Sequence, residues 1–153
     1  MRKAKVQDVA RIKELLLQVH RVHSELRPDV FNVGGVKYEE KEIENIINSD
    51  KTPVFVCEKG ERVAGYIFCV EQEIVGDTSL VDKKSLYVDD LCVDETIRGQ
   101  GVGKALFEYA KKYAQENHFD EIILNVWEGN DGAMEFYRKI GFLPRKTTLE
   151  LKL

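Results

Sequence analysis

The amino-acid sequence predicts a mixed α/β layer sandwich, in which helices cover a central sheet. Apolar residues recur at helical spacing in four segments, and β-branched apolar runs bounded by turn residues lie between those segments. In a doubly wound βαβ protein the two kinds of segment alternate regularly, whereas in this sequence they do not. The length of 153 residues suits one domain, and we therefore expect a single domain over residues 1–153.

The first half of the chain predicts a strand, two helices and a hairpin. A short strand at residues 2–6 precedes a helix that is capped by Asp8, and a second, more charged helix follows at residues 37–50. The apolar runs 53–59 and 62–74 meet at a Gly-Glu turn and form a hairpin. The apolar positions of the first helix are Val9, Ile12, Leu15, Leu16 and Val19.

The second half predicts strands and helices in turn. A strand at residues 85–93 leads into a glycine-rich turn, and residues 102–117 then form an amphipathic helix. Residues 120–127 are expected to form a buried strand, and residues 131–140 a short helix that ends at a capping glycine. The alternating pattern of residues 142–153 predicts a closing strand.

Composition limits the classes of function. The chain has 23 Lys and Arg against 27 Asp and Glu, and its net charge of −4 argues against a nucleic-acid partner and mildly favours a small cationic one. Cys57, Cys69 and Cys92 lie in apolar runs without a C-x-x-C pair, which predicts buried, reduced thiols. There is no signal-peptide pattern and no apolar run of about 18 residues. We therefore expect a cytoplasmic protein with no membrane partner.

The segment "VDETIRGQGVGKALF" carries the clearest functional signal. Gly99, Gly101 and Gly103 alternate between Arg98 and Lys104, at a junction from a strand to a helix. Free N–H groups at a helix N-terminus bind anions, and glycines let an oxygen approach the backbone. The spacing fits neither the P-loop nor G-x-G-x-x-G. The pattern predicts a phosphate cradle of another kind.

Two motifs resemble the GNAT superfamily of acetyl-CoA-dependent N-acetyltransferases. Residues 98–103 match its R/Q-x-x-G-x-G/A signature, inside the longer match "LYVDDLCVDETIRGQGVGKALFEYA", and "NDGAMEFYRKIGF" matches its later segment. The resemblance implies a central mixed, mostly antiparallel sheet of six to seven strands, flanked by about four helices and splayed between the fourth and fifth strands. It also implies acetyl-CoA as the co-substrate, with no metal.

The same resemblance implies the residues that bind coenzyme A. Backbone amides of the glycine-rich turn hold the pyrophosphate, the preceding strand bonds the pantetheine arm, and a residue before the last helix contacts that arm. The amino acids implied are Leu91, Cys92, Val93, Arg98, Gly99, Gln100, Gly101, Val102, Gly103, Lys104, Asn130 and Tyr137. An Asn is also a favoured N-cap, so Asn130 has that alternative role.

Acetyl transfer needs a neutral amine, an oxyanion donor and a proton for the departing thiolate. The resemblance places a tyrosine close to the sulfur, which makes Tyr137 the general acid, with a purely structural core position as the alternative. It aligns Asp89 with the glutamate that accepts the proton in the family. The alternative for Asp89 is a structural position, either at a solvated strand end or in a salt bridge. The period of two places Asp89 and Asp90 on opposite faces of the strand. The oxyanion donor is expected to be the backbone N–H of Val93 or its neighbour.

The resemblance also implies that the first two helices and their joint form the acceptor wall. His20 and His23 share one helix face, but no third metal ligand is apparent, so a polar wall or a solvated helix end is the better interpretation. Asp29 is a further candidate for acceptor contact. The expected substrate-binding residues are His23, Arg27, Phe31, Tyr38 and Asp90.

The sequence therefore predicts direct transfer of acetyl from acetyl-CoA to a primary amine in a ternary complex. A polyamine or an aminoglycoside-like acceptor suits the acidic balance, while a protein N-terminus or lysine is the alternative. Two other classes stay open: a non-catalytic acyl-CoA-binding module, and a regulator that binds ATP or GTP. A homodimer is also left open.

Overall fold

The computed structural model describes residues 1–153 and contains one five-stranded sheet in the order β1-β2-β3-β4-β5. Neighbouring strands run antiparallel, except that β5 pairs with β4 in parallel. The strands are β1 (Arg2–Lys3), β2 (Val54–Lys59), β3 (Arg62–Ile74), β4 (Lys83–Val93) and β5 (Glu121–Leu124). The helices are α1 (Val9–Leu26), α2 (Glu40–Ile47), α3 (Val102–Glu116) and α4 (Asp131–Lys139).

The sheet separates two apolar clusters, because side chains alternate between the faces of a strand. On one face, α1 and α2 cover Val56 and Tyr66, and on the other α3 covers Phe55 and Ile67. The helices form where their apolar stripes meet these faces; in α1 Ile12, Leu15 and Leu16 are at most 1% exposed. None of the four helices has the length and apolar character needed to cross a bilayer.

The centre of β4 departs from regular pairing in two ways. Phe68 pairs with Asp90 and Cys69 with Val88, so Asp89 is an unpaired extra residue in a β-bulge. The parallel ladder with β5 stops at Val88, and residues 89–93 therefore have no partner on that side. This confirms the predicted splay between the fourth and fifth strands, and the bulge lies where the two strands part.

Three details of the sequence prediction are wrong. The sheet has five strands rather than six to seven, because residues 142–153 form no closing strand. A strand needs a ladder partner, and no backbone–backbone hydrogen bond involves residues 143–153. The predicted buried strand at residues 120–127 is also shorter than expected and only half-buried, because β5 lies at the sheet edge.

Candidate active site

The glycine-rich turn leaves a row of backbone N–H groups free. Gly99 and Gly101 have φ of 79° and 80°, a left-handed conformation that favours glycine, and a Cβ at either would meet nothing within 4 Å. The first helical bond of α3 runs from the N–H of Ala105 to the carbonyl of Gly101, at 3.0 Å. No N–H of residues 98–104 has an acceptor within the chain. The turn is open to an anion from outside.

Basic side chains surround this turn. The Arg98 Nε donates to the Val93 carbonyl at 3.1 Å, and Lys104 is exposed at the start of α3. Lys59, at the end of β2, donates to the Gln100 side chain at 2.7 Å. Sequence reasoning missed Lys59, since only the fold brings it there. These positive charges and the N-terminal end of the α3 dipole favour a phosphate group.

Gly103 has a different role from the other two glycines. Its φ is not positive, and a Cβ there would make ordinary van der Waals contacts of 3.4 Å with the Phe136 ring and 3.6 Å with Val93 Cγ2. Only two of the three glycines in the motif therefore shape the anion cradle directly.

The free edge of β4 offers backbone groups to the slot between β4 and β5. The N–H of Asp94 donates to Ala64 on β3 at 2.9 Å, and successive residues of a strand turn their polar groups to opposite sides. Leu91 therefore directs its N–H and C=O groups into the slot, and Val93 its N–H, while the Val93 carbonyl accepts the Arg98 Nε. These are the two positions from which a strand can bond an extended amide-containing ligand.

The Cys92 side chain points away from this slot. Its Sγ lies against the Leu15 carbonyl at 3.4 Å, within the cluster under α1 and α2. Burial raises the pKa of Cys92 to about 12, so the group is a thiol at neutral pH. A thiol in this position is unsuited to act as a nucleophile.

One ammonium group bridges the carboxylates of Asp89 and Asp90. Lys37, from the joint between α1 and α2, lies 2.9 Å from Asp89 Oδ2 and 3.6 Å from Asp90 Oδ2. The prediction that the two carboxylates occupy opposite faces is therefore wrong. The extra residue of the β-bulge breaks the period of two and turns both groups toward the same cation.

The two carboxylates differ in environment. The Asp90 side chain is only 5% exposed, and burial, followed by the repulsion of Asp89, raises its pKa to about 6 against the attraction of Lys37. Asp89 is 19% exposed and accepts a hydrogen bond from the Tyr38 hydroxyl at 2.8 Å. The Tyr66 hydroxyl, fully buried, has no hydrogen-bond partner, and burial, followed by the charge of Asp90, raises its pKa. Asp90 is the more buried carboxyl group of the pair, and its pKa lies above its ordinary value of 3.8.

Tyr137 lies on α4 with its ring against Phe136 and Phe142, at centroid distances of 5.1 and 5.5 Å. Its hydroxyl makes no hydrogen bond within the chain, and burial, followed by the charge of Asp90, raises its pKa. The phenol is therefore protonated at neutral pH and has a proton to donate. Asn130 is the N-cap of α4, since its side chain accepts the N–H of Ala133 at 3.2 Å.

An aromatic cluster joins the α1–α2 joint to the loop after β5. His23 stacks on Phe31 at 5.2 Å, and Phe31 meets the edge of Trp127 at 5.3 Å. Burial, followed by the charge of Lys37, lowers the pKa of His23, which keeps the imidazole neutral. Sequence reasoning missed Trp127, which the fold brings against the Phe31 ring and the Arg27 guanidinium.

Other predicted wall residues are already engaged within the chain. Arg27 donates to Asp29 at 2.8 and 2.9 Å and to Glu150 at 2.8 Å. His20 Nε2 is 2.7 Å from the Asn32 carbonyl. No group of three or more His, Cys, Asp or Glu side chains is arranged to hold a metal ion. The arrangement thus combines an anion cradle, a slot along β4, a carboxylate pair and a protonated phenol.

Residues 17–142 match the family described as the Acetyltransferase (GNAT) family. The uncharacterized N-acetyltransferase MJ1207 of Methanocaldococcus jannaschii is 32% identical over 100 residues, which cover 63% of this chain and 42% of that protein. Streptothricin acetyltransferase A of Bacillus subtilis is 30% identical over 98 residues, which cover 63% of this chain and 56% of that protein. The chain thus spans about half the length of these curated relatives.

A solved structure extends the similarity to almost the whole chain. A mutant of the BH1408 protein from Bacillus halodurans superposes with a TM-score of 0.96 at 32% sequence identity. The superposition covers 99% of this chain and 98% of that one. The strand order, the splay and the glycine-rich turn described above therefore belong to a fold that has been solved in a related protein.

Proposed function

The chain belongs to the GNAT family of acetyltransferases, and on that premise we propose that it transfers acetyl from acetyl-CoA to a primary amine of a small cationic molecule, such as a polyamine or an aminoglycoside-like compound. The transfer is direct, in a ternary complex. The observation that carries this proposal is the bridging of Asp89 and Asp90 by the Lys37 ammonium.

The free N–H groups of residues 98–104 suit the pyrophosphate of coenzyme A. The pantetheine arm has about as many backbone bonds as four to five peptide residues, and is roughly 15 Å long when extended. Residues 89–93 of β4 span about 13 Å at the usual rise of a strand. An arm that starts at the cradle and follows the free edge of β4 therefore brings the thioester close to Asp89.

The carboxylate pair at that end of β4 suits a primary ammonium. Lys37 carries the same chemical group as the proposed substrate, and its placement shows that Asp89 and Asp90 accept one such group together. A substrate ammonium takes this position when Lys37, a partly exposed side chain on a loop, moves away. The neutral His23 and the aromatic rings of Phe31 and Trp127 form a wall suited to the carbon skeleton of the acceptor.

The proton steps follow from the environments of the side chains. The resemblance to the family implies Asp89 as the base; we assign that role to Asp90, whose buried carboxyl group has a pKa raised to about 6 and lies beside the Lys37 ammonium. Asp89 then holds the ammonium, together with the Tyr38 hydroxyl that orients its carboxylate. Asp90 removes a proton from the amine, and the Tyr137 phenol protonates the departing thiolate.

An acceptor panel tests this proposal. The enzyme is mixed with acetyl-CoA and, separately, a linear polyamine, an aminoglycoside, a lysine-containing peptide and a peptide with a free N-terminus, and the free thiol of coenzyme A is measured. We expect thiol release with the polyamine or the aminoglycoside. Release with peptides alone would show the acceptor class to be wrong.

Binding measurements separate the remaining alternatives. Calorimetry with coenzyme A, ATP and GTP is expected to show binding of coenzyme A in preference to the nucleotides. Binding of coenzyme A without thiol release from any acceptor would indicate a non-catalytic acyl-CoA-binding module. Tighter binding of ATP or GTP would indicate a nucleotide-dependent regulator.

A further inference from the structure

The chain carries a primary amine of its own at the position proposed for the substrate amine. The Lys37 Nζ lies 2.9 Å from both the backbone carbonyl and the Oδ2 of Asp89, and 3.6 Å from Asp90 Oδ2. Among the lysines that form ion pairs, only Lys37 pairs with either of these carboxylates. An enzyme that acetylates a primary amine at this place therefore meets the amine of Lys37 first.

The Lys37 side chain has room to adjust within the site. Its Nζ lies 5.4 Å from the centroid of the Tyr38 ring, and that tyrosine in turn donates to Asp89. The side chain is nonetheless 35% exposed, and residue 37 belongs to neither of the helices beside it. The four-carbon stem of a lysine is flexible. The nitrogen is therefore able to shift along the slot while the backbone stays in place.

The groups assigned to the substrate amine also surround this one. Asp90, beside Nζ, is the proposed base, and Tyr137 is the proposed acid. Burial, followed by the charge of Asp90, raises the pKa of Tyr137, so the phenol lies within electrostatic range of the carboxylate pair. An arm that follows residues 89–93 brings the thioester to the same place. The amine, its base and the proton donor thus meet at one end of the slot.

Lys37 also has a kinetic advantage over an amine from solution. A tether gives a group an effective concentration on the order of millimolar, which is about the upper end of usual KM values. When no acceptor is present, nothing competes with Lys37 for the carboxylate pair. Acetylation of this lysine is therefore favoured whenever acetyl-CoA is bound and acceptor is scarce.

We propose that the enzyme acetylates Lys37 of its own chain, and that this modification opens the acceptor site. The inference rests on the proposed function, because it uses the same groups. Asp90 takes one proton from the ammonium and releases it to solvent, and the nitrogen then forms a bond to the carbonyl carbon of the thioester. The C–S bond breaks, and Tyr137 protonates the thiolate and recovers its proton from the nitrogen. The products are an acetylated lysine, the thiol of coenzyme A and one proton in solvent.

The modification removes the charge that occupies the site. An acetylated lysine is a neutral amide, and it no longer pairs with a carboxylate. Asp89 and Asp90 are then available to a substrate ammonium. The acetylated enzyme should therefore have a KM for a cationic acceptor about fivefold lower than the unmodified enzyme. Thiol release measures both values, and equal KM values would overturn the opening of the site.

Mass spectrometry of the full chain, incubated with acetyl-CoA alone, tests the modification itself. The wild type is expected to gain the mass of one acetyl group, which fragmentation of the peptide places on Lys37. The rate should not depend on protein concentration, because the reaction occurs within one chain. Lys37→Arg keeps the positive charge and is expected to gain no mass. The matched control is Lys41→Arg, an exposed change on α2, which should be acetylated on Lys37 as fast as the wild type.

Two further measurements separate an enzymatic reaction from chemical acetylation by acetyl-CoA in solution. Excess coenzyme A, which occupies the cradle, should suppress the modification, and Gly101→Glu should slow it about a hundredfold at low acetyl-CoA. Acetylation that spreads over the exposed lysines, that ignores coenzyme A or that speeds up with protein concentration would overturn the inference.

The acceptor panel distinguishes failure of this inference from failure of the proposed function. An enzyme that acetylates an added amine but never Lys37 would overturn the self-acetylation and leave the proposed function in place. An enzyme that acetylates neither Lys37 nor any added amine would overturn both.

Discussion

The two ends of the candidate site are built in different ways. The anion cradle is a single run of residues, 98–104, and it offers backbone N–H groups. The acceptor end depends on side chains that are distant in sequence, since Lys37 meets Asp89 across 52 positions. Binding at the cradle should therefore depend on backbone conformation and space. Binding at the acceptor end should depend on a few charges, each replaceable without disturbing the cradle.

The largest expected effect is on the cradle. Gly101→Glu places an anionic side chain among the free N–H groups and forces a non-glycine residue to φ of 80°. We expect coenzyme A affinity to fall by about a hundredfold or more, because the substitution costs the complex about two charge-assisted hydrogen bonds. The matched control is Gly60→Glu, in a hairpin turn with φ of 63° and equally open space. Calorimetry showing equal losses in the two variants would contradict the cradle assignment.

The next effect concerns turnover. Tyr137→Phe keeps the ring packed against Phe142 and removes only the hydroxyl, so acetyl-CoA affinity should stay near that of the wild type. We expect kcat to fall about a hundredfold, the lower end of the usual contribution of a general acid. Tyr109→Phe, whose ring packs on Phe55 away from the slot, is the control. A kcat within twofold of the wild type would show that Tyr137 is not the general acid and has only a structural role.

Asp90 should give the chain a particular pH dependence of stability. Its folded-state pKa of about 6 lies above the ordinary 3.8, so the folded chain binds this proton more tightly than the unfolded chain does. The stability that Asp90 contributes is fully present below pH 3.8 and is lost as the pH rises through 6. Relative to Asp90→Asn, the wild type should lose about 3 kcal/mol of unfolding free energy across this window.

Urea unfolding of both proteins at a series of pH values measures this difference. The groups with lowered pKa, such as Asp8 and Asp94, titrate in both proteins and cancel in the comparison. A difference between the two proteins that does not change with pH would show that Asp90 is not held in a destabilising environment.

The smallest effect is expected at Lys37. Lys37→Gln removes the internal ammonium that must leave before a substrate ammonium binds, so the KM of a cationic acceptor should fall about fivefold. Lys41→Gln, an exposed change on α2, should leave KM unchanged. An increase of KM in the Lys37 variant would mean that this side chain holds the acceptor instead of competing with it.

The sequence predicted best what is local. The cradle was predictable because its residues are contiguous and its glycines have positive φ, and the hairpin was predictable because its strands are adjacent. The carboxylate pair was mispredicted because one bulged residue reverses the period of two, and nothing in the sequence marks that extra residue. The contact of Arg27 with substrate stays a prediction, and its ion pair with Glu150, 123 positions away, could not be predicted from the sequence.

The closing strand shows the same limit at the level of the fold. The alternation of residues 142–153 is a genuine strand pattern, yet residues 143–153 make no backbone–backbone hydrogen bond with either edge strand of the sheet. Periodicity predicts which side of a segment is apolar. It does not predict whether the segment pairs with a sheet edge.

If independent parts of one slot hold coenzyme A and the acceptor, Asp89→Asn should weaken the binding of the acceptor alone. Affinity for coenzyme A is measured by calorimetry, and the KM of the best cationic acceptor by thiol release. We predict unchanged coenzyme A affinity and a KM raised about tenfold, since the substitution removes one charge from the ammonium site. An unchanged KM, or a comparable loss of coenzyme A affinity, would contradict the account.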